Sequence, residues 1–241
     1  MGVSGYLGRQ VSPALEPTVL DDLGPLYHDY RWFGARNEQI PNFTVNQRVK
    51  EPILLGYIAL AIGKCRRRVD DPVSFAELFC ADGYYTMLAA RLGADPAVGI
   101  DSNRDGWSDH MPEIARRLGL DAVRFEQRDV AAIDEHGTYD IVANLGGLYH
   151  VTNPVEILRK SWLMARRFLI VQTVVSMATD SDTYFEAPAP GWPHGSRFSA
   201  NSFIAMLRRE GYRVVDGHFN VLEGNQRPED RGSVYFLIEK G

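Results

Sequence analysis

Short apolar runs alternate with segments of helical period over most of the chain. Val73–Phe79, Ala97–Asp101, Ala122–Gln127, Tyr139–Leu145 and Phe168–Val174 read as strands. Helices are expected between them, over about residues 84–92, 108–118 and 154–165, the first two stopped by Gly93 and Gly119. A short helical turn follows Asp129. Asn153-Pro154 offers an N-cap with proline at the first helical position. This strand–helix alternation predicts a parallel, doubly wound α/β sheet. Ser199 then caps a helix through Glu210, closed by Gly211, and two strands follow, Tyr212–Phe219 and Ser233–Glu239.

Upstream, Thr44 to Gly63 reads as a helix, with Thr44 and Gln47 as a capping box. Val45, Val49, Ile53, Leu54, Tyr57, Ile58, Ala61 and Ile62 make one apolar face, expected to pack on the sheet. Leu20–His28 suggests a short helix, followed by Tyr30-Arg31-Trp32-Phe33 in a loop-prone arm. Those aromatics either form a lid over a ligand or pack on the core. We divide the chain into a helical arm or cap, 1–68, and a core, 69–241. Within the core, 177–198 is polar and rich in Pro and Gly. A loop of that length reads as a lid or acceptor loop.

The sequence has 241 residues, a formal net charge of -5, and 45% hydrophobic and 24% charged residues. That is the make-up of an ordinary globular protein. The acidic balance argues against a nucleic-acid partner without excluding one. The runs Arg66–Arg68 and Arg166–Arg167 read as solvated element ends. The two cysteines, Cys65 and Cys80, indicate neither a disulfide framework nor a metal centre, which fits a reducing cytoplasm. The opening MGVSGYLGRQ has no apolar core of a signal peptide. The longest apolar run, Leu54–Ile62, is too short for a bilayer. A cytoplasmic protein acting on a small molecule is expected, with no membrane partner and homodimerisation left open.

Chemistry concentrates at Ser74–Ala90 and at the later strand ends. Glu77 closes an apolar strand, and Phe79-Cys80-Ala81-Asp82-Gly83 turns into a helix starting at Tyr84-Tyr85. In an open α/β sheet such a turn brings bare backbone and a helix N-terminus up to a nucleotide-like ligand. Asp101, followed by Ser102, ends the second strand and can accept from both ribose hydroxyls. Asp129 after the third can accept from an adenine amine, with Val130 beside the ring. Asn144-Leu145-Gly146 follows the fourth, where the methionine part of S-adenosylmethionine would lie. Asp82, Asp101 and Asp129 are spaced by 19 and 28 residues, about one β–α unit each. A nicotinamide site would share the first two features but shows a fuller G-x-G-x-x-G. The alternative without a ligand makes both aspartates helix caps.

The strings ELFCADGYYT, GIDSN, RDV and YDIVANLGGLYHVTNP resemble the motif series of class I S-adenosylmethionine-dependent methyltransferases. The nearest sub-pattern is the tRNA wobble-uridine carboxymethyltransferase group, matched at Cys80, Gly83, Tyr84, Gly146, Leu148, Tyr149, His150 and Pro154. The resemblance covers roughly residues 73–175. It implies a Rossmann-like seven-stranded sheet with the last strand antiparallel, and an acceptor pocket covered by the N-terminal helix and the 177–198 loop. The first motif departs from the family's D-x-G-x-G-x-G at Glu77, Phe79 and Ala81. Bulk at Phe79 is expected to push the turn outward or change its hold on the cofactor.

Methyl transfer from a sulfonium is an in-line displacement in which the protein supplies position and electrostatics. His150, beside Tyr149, is the candidate general base, because imidazole titrates near working pH. The alternative makes it a structural residue at the helix entry. Tyr27, Arg31, Trp32, Tyr184, Glu186, Trp192, His194 and Arg197 are candidate substrate contacts on the arm and the loop. Cys80 reads as a packing residue. Three functions stand: a small-molecule O- or N-methyltransferase, a tRNA-modifying enzyme, and a non-catalytic cofactor-binding scaffold.

Overall fold

The computed structural model describes residues 17–41, 43–68, 71–129, 132–133 and 137–241. Seven strands form one sheet: β1 (Phe75–Leu78), β2 (Ala97–Asp101), β3 (Val123–Gln127), β4 (Tyr139–Leu145), β5 (Ala165–Val175), β6 (Val214–Val221) and β7 (Gly232–Glu239). Their order across the sheet is β6-β7-β5-β4-β1-β2-β3. The first five pair in parallel, and β7 runs antiparallel to both of its neighbours. This is the expected Rossmann-like sheet of seven strands with the last one antiparallel.

Alternation along each strand builds two cores. Ile141, Ala143, Phe168 and Ile170 face α1 (Phe43–Cys65), α2 (Tyr84–Arg91) and α3 (Met111–Arg117). Val142, Leu169 and Val171 face α4 (Pro154–Met164) and α5 (Ala200–Arg209). Burial on both faces explains the continuous apolar run Phe168–Val171 within β5. Truncating the fully buried Phe168 to Ala would cost about 3–5 kcal/mol.

Helix α4 passes into β5 with no loop, three residues before the apolar run begins. The Lys240 ammonium makes this corner stable by donating to the carbonyls of Trp162 (3.0 Å) and Ala165 (2.8 Å). Helix α5 starts as expected at Ser199. Its Oγ accepts from Ser202 N at 3.0 Å, and Ser202 Oγ accepts from Ser199 N at 2.9 Å.

The arm departs from expectation. Leu20–His28 contains a single 3-10 turn, Asp21–Leu23, rather than a helix. The Thr44–Gln47 capping box does not form. Gln47 Oε1 accepts from Asp29 N (2.9 Å) and Gln39 Nε2 (2.8 Å), while its Nε2 donates to Asp29 O (3.0 Å). The arm crosses the first turn of α1, and Gln47 is engaged in holding it there. Val45, expected on the apolar face, is exposed. Among the described residues no helix is long and apolar enough to cross a membrane.

Candidate active site

Strand β1 lies between β2 and β4, so the chain leaves it toward opposite sides of the sheet. The crevice beyond the C-terminal ends of these strands is where open α/β sheets bind ligands. A cavity of about 1100 Å³ opens there. The tips of β1, β2 and β4, one face of α1, and the 189–197 and 222–230 segments wall it. Glu77, Asp101 and Asp129 all line this single hollow.

The turn after β1 keeps a glycine-type backbone with few glycines. Phe79 (φ 60°), Ala81 (φ 48°) and Gly83 (φ 77°) are all left-handed. These are the three positions at which the resembling family carries glycine. Each side chain in that region costs about 1–2 kcal/mol, so other contacts must hold the turn. Phe79 N donates to Ile100 O (2.9 Å) and Ala81 N to Asp101 Oδ2 (3.1 Å), while Ser108 Oγ donates to Ala81 O (2.5 Å). The Phe79 side chain packs against the core on the α4 side, and the residue also lines the cavity. Gly83 does not line the cavity. A Cβ there would lie 2.5 Å from Met111 Sδ, so this glycine serves helix packing. Cys80 is buried, with Gly99 beside it, and burial pushes its thiol well up, as suits a packing residue.

Glu77 is buried and anchors the start of α2. One carboxylate oxygen accepts from Thr86 N (2.7 Å) and Thr86 Oγ1 (2.6 Å). Burial pushes its pKa up to about 8, against the pull of the Thr86 bonds and with help from Asp82 and Asp101. Asp101 uses one oxygen on Ala81 N and the other on Asn103 N (2.7 Å), which fixes the carboxylate at the cavity wall. Ser102, Leu145 and Gly146 also line the wall, and Asp129 stands exposed at the rim. Val130 lies outside the described residues. Asn144 does not reach the cavity. It faces α4, where Nδ2 donates to Ser161 Oγ at 3.0 Å. Tyr85 lines the cavity, and its buried hydroxyl has no partner. Tyr84 lies behind it, donating to Glu51 Oε2 at 2.7 Å.

Tyr149 and His150 follow β4, with ring centroids 4.1 Å apart. His150 lines the cavity while remaining open to solvent on one side, and its pKa is lowered to about 4. Desolvation by the cavity walls is the first cause, followed by Arg197, His194 and Lys50. Arg197 is buried, pairs with Asp230 (Nε 2.8 Å, Nη2 2.6 Å) and donates to Tyr149 O at 3.1 Å. It ties the 177–198 loop, the β4 tip and the last loop together. Trp192 and His194 line the same end.

The remaining arm and loop candidates lie elsewhere. Only Tyr27 of the arm group reaches the cavity, stacked on Phe43 with centroids 4.5 Å apart. Arg31 and Trp32 line a separate cleft of about 170 Å³, and Arg31 pairs with Asp29. Tyr184 and Glu186 hydrogen-bond each other at 3.0 Å and do not line the cavity. Glu186 is exposed, although it pairs in register with Arg197.

Sequence reasoning missed His28, Lys50 and Trp107, all on the cavity wall. Asp82 bonds His28 twice, and no local signal joins residues so far apart in the chain. Lys50 did leave a signal: a lysine in the stripe of α1 that also contains Phe43, Gln47 and Leu54.

Comparisons with known proteins agree with this geometry. A family model described as "Methyltransferase domain" matches residues 70–208. No curated protein sequence matches the chain. Among solved structures, the N-terminal domain of EvdMO1 with SAH bound is similar at 17% identity and a TM-score of 0.62, covering 91% of this chain and 93% of that one. Magnesium protoporphyrin IX methyltransferase from Synechocystis PCC 6803 with bound SAM gives 13% identity and 0.59, covering 88% and 89%. Coclaurine N-methyltransferase bound to N-methylheliamine and SAH gives 15% identity and 0.57, covering 76% and 72%. The matched family region contains the β1 turn, the Asp101 and Asp129 tips and His150, and on that match the chain belongs to the methyltransferase domain family.

Proposed function

We propose that this methyltransferase transfers the methyl group of S-adenosylmethionine to an oxygen or nitrogen of a compact polar or aromatic small molecule. The supporting observation is the single hollow shared by the acidic tips of three successive strands and by His150. When bound, the cofactor supplies an electrophilic methyl carbon on a sulfonium. Asp101 would hold the ribose hydroxyls, Asp129 the adenine amine, and the backbone of Phe79–Ala81 the methionyl end. The residues fit that group: Phe79, Cys80 and Ala81 of the left-handed turn line the hollow, and carboxylates suit a cationic ligand.

Across the cavity, Tyr149, Val151, Val174 and Trp192 offer an apolar and aromatic wall. His150 is neutral at physiological pH and can accept the acceptor's proton at an imidazole nitrogen. Calorimetry with S-adenosylmethionine and its demethylated product tests the cofactor site. Methyl incorporation over a panel of small phenols, amines and hydroxy acids tests the acceptor class. Binding of either cofactor form with turnover on small acceptors is expected. No binding at millimolar concentration defeats the reading. The tRNA-modifying reading retains the G-x-L-Y-H string at Gly146–His150 as its support. A gel shift of tRNA with steep salt dependence would favour it.

A further inference from the structure

The stripe of α1 that faces the cavity is Phe43, Asn46, Gln47, Lys50 and Leu54. Its polar members are engaged, with one exception. Asn46 Nδ2 donates to Asn225 Oδ1 (2.9 Å), and its Oδ1 accepts from Gly224 N (3.1 Å). Gln47 holds the arm. Asn220 Nδ2 donates to Val49 O (2.8 Å), which seats this part of α1 against β6 and the loop that follows it. Lys50 makes no hydrogen bond and no ion pair with any described residue. Burial lowers its ammonium to about 8, which still leaves it mostly charged at neutral pH.

A partly buried ammonium without a counter-charge is costly. Among the lining carboxylates, Asp105 acts on His150 through its charge, and Asp230, beside Arg197, is already engaged. Its Oδ1 takes Arg197, and its Oδ2 lies 3.5 Å from both Arg227 Nη1 and Trp192 Nε1. His150 is neutral. Arg197 and Arg227 are matched by Asp230 and by Glu229, whose Oε2 lies 3.7 Å from Arg227 Nε, and Lys50 is left without a carboxylate partner among the described residues.

Building on the reading of this space as the methyl-acceptor pocket, we infer that Lys50 is the counter-charge for a carboxylate on the acceptor. The substrate class is then a small carboxylic acid with an aromatic or apolar body that packs on Tyr149 and Trp192. A phosphate dianion fits less well, because Lys50 offers a single ammonium and the forks of Arg197 and Arg227 are engaged by Asp230 and Glu229.

The test uses the full chain saturated with the demethylated cofactor and matched probe pairs. These are 4-hydroxybenzoate against 4-hydroxybenzyl alcohol, and indole-3-acetate against indole-3-acetamide, with phenyl phosphate as a third arm. Binding is read by calorimetry in wild type, Lys50→Met and Lys50→Arg. The carboxylates are expected to bind at least tenfold more tightly than their neutral partners in wild type and in Lys50→Arg. That preference vanishes in Lys50→Met, while affinity for the demethylated cofactor stays within twofold. Absence of a preference in every wild-type pair overturns the inference, whether both members bind alike or neither binds. Preference for phenyl phosphate over both carboxylates, or a preference that survives in Lys50→Met, also overturns it. Lost cofactor affinity in Lys50→Met overturns it by placing the lysine at the cofactor. Failure of wild type to bind the cofactor at all is a distinct result and defeats the methyltransferase reading instead.

Discussion

A Cβ built on Gly147 would lie 1.9 Å from Cδ2 of the Phe79 ring, far inside contact distance. The two residues stand at the tips of β1 and β4, on either side of the point where the strand order reverses. One side chain fills what two glycines would leave open, and the left-handed turn survives with a phenylalanine in it. Gly147→Ala is therefore expected to destabilise by about 1–3 kcal/mol, the range for overpacking. It should also weaken cofactor binding, because the ring can move only by displacing the turn. Adding Phe79→Ala should restore part of the lost stability. Thermal melts of the single and double variants check this. Additive losses would show that the two positions do not share one space.

The second prediction concerns His28 and Asp82. Asp82 Oδ2 accepts from His28 N at 2.8 Å, and its Oδ1 lies 2.5 Å from His28 Nδ1. Tyr30 OH donates to Asp82 O at 2.9 Å. The cofactor turn and the arm thus share one buried carboxylate. His28→Ala leaves the buried Asp82 carboxylate with one of its two side-chain hydrogen bonds, a loss of about 1–3 kcal/mol for an unsatisfied buried acceptor. Limited proteolysis should then cut within 20–41 well before it cuts the core. Equal cleavage kinetics in wild type and variant would show that the pair does not hold the arm.

These long-range bonds also mark where the sequence stops being legible. Strand–helix alternation is a local signal, and it located all seven strands and the acids at their tips. The arm has no such periodicity. Its course depends on Asp82 and Gln47, so Tyr27 reaches the cavity while Arg31 and Trp32, a few residues on, turn into another cleft. Asn144 shows the opposite failure. Period two along β4 sends Leu145 to the cavity and Asn144 to α4, and reading the tip as a block of residues lost that distinction. Tyr184 and Glu186 share a polar loop with Trp192, yet only Trp192 lines the cavity, because neighbourhood in a loop does not fix which way a side chain turns.

Glu77 yields a prediction in pH. Its folded pKa, about 8, lies above the ordinary 4.5. The folded state therefore holds a proton that the unfolded chain has lost. Its stabilising contribution is complete below pH 4.5 and disappears as pH rises through about 8. Glu77→Gln keeps an acceptor for Thr86 N and removes the titration. The variant should match wild type near pH 4.5 and melt higher above pH 8. The difference should be several degrees, at about 2–4 °C per kcal/mol for a chain of this size. Melting curves from pH 4.5 to 9 that stay parallel would show that Glu77 is ionised throughout.

Asp101 carries the cofactor prediction. Asp101→Ala removes an acceptor from a ligand's hydroxyls and also from Ala81 N and Asn103 N. Affinity for the demethylated cofactor should fall by about 1–3 kcal/mol. Asp101→Asn should recover the loop bonds through its carbonyl oxygen on one side only, and lie between the two. Calorimetry that ranks Asp101→Asn with wild type would place the ribose contact elsewhere.

His150 sets the pH dependence of turnover. An ordinary imidazole changes charge near 6.5, so an enzyme using one as base loses activity on the acid side in that range. Here the cavity walls, with Arg197, His194 and Lys50, hold the folded pKa near 4. His150 is then neutral at pH 5 and above, and the acid limb of kcat is expected near 4, provided the protein stays folded. The same depression bears on stability. A lowered pKa contributes stability that is complete above pH 6.5 and is lost as pH falls through about 4. His150→Ala removes this term, so its melting curve should fall less steeply than that of wild type between pH 6 and 4. The variant should also lower kcat by about 10²–10⁴-fold, the range for a lost general base, with little change in cofactor affinity. Unchanged turnover in His150→Ala, together with a flattened stability profile, would assign the imidazole to the architecture of the β4 tip and leave proton removal to solvent or to the acceptor's own acidity.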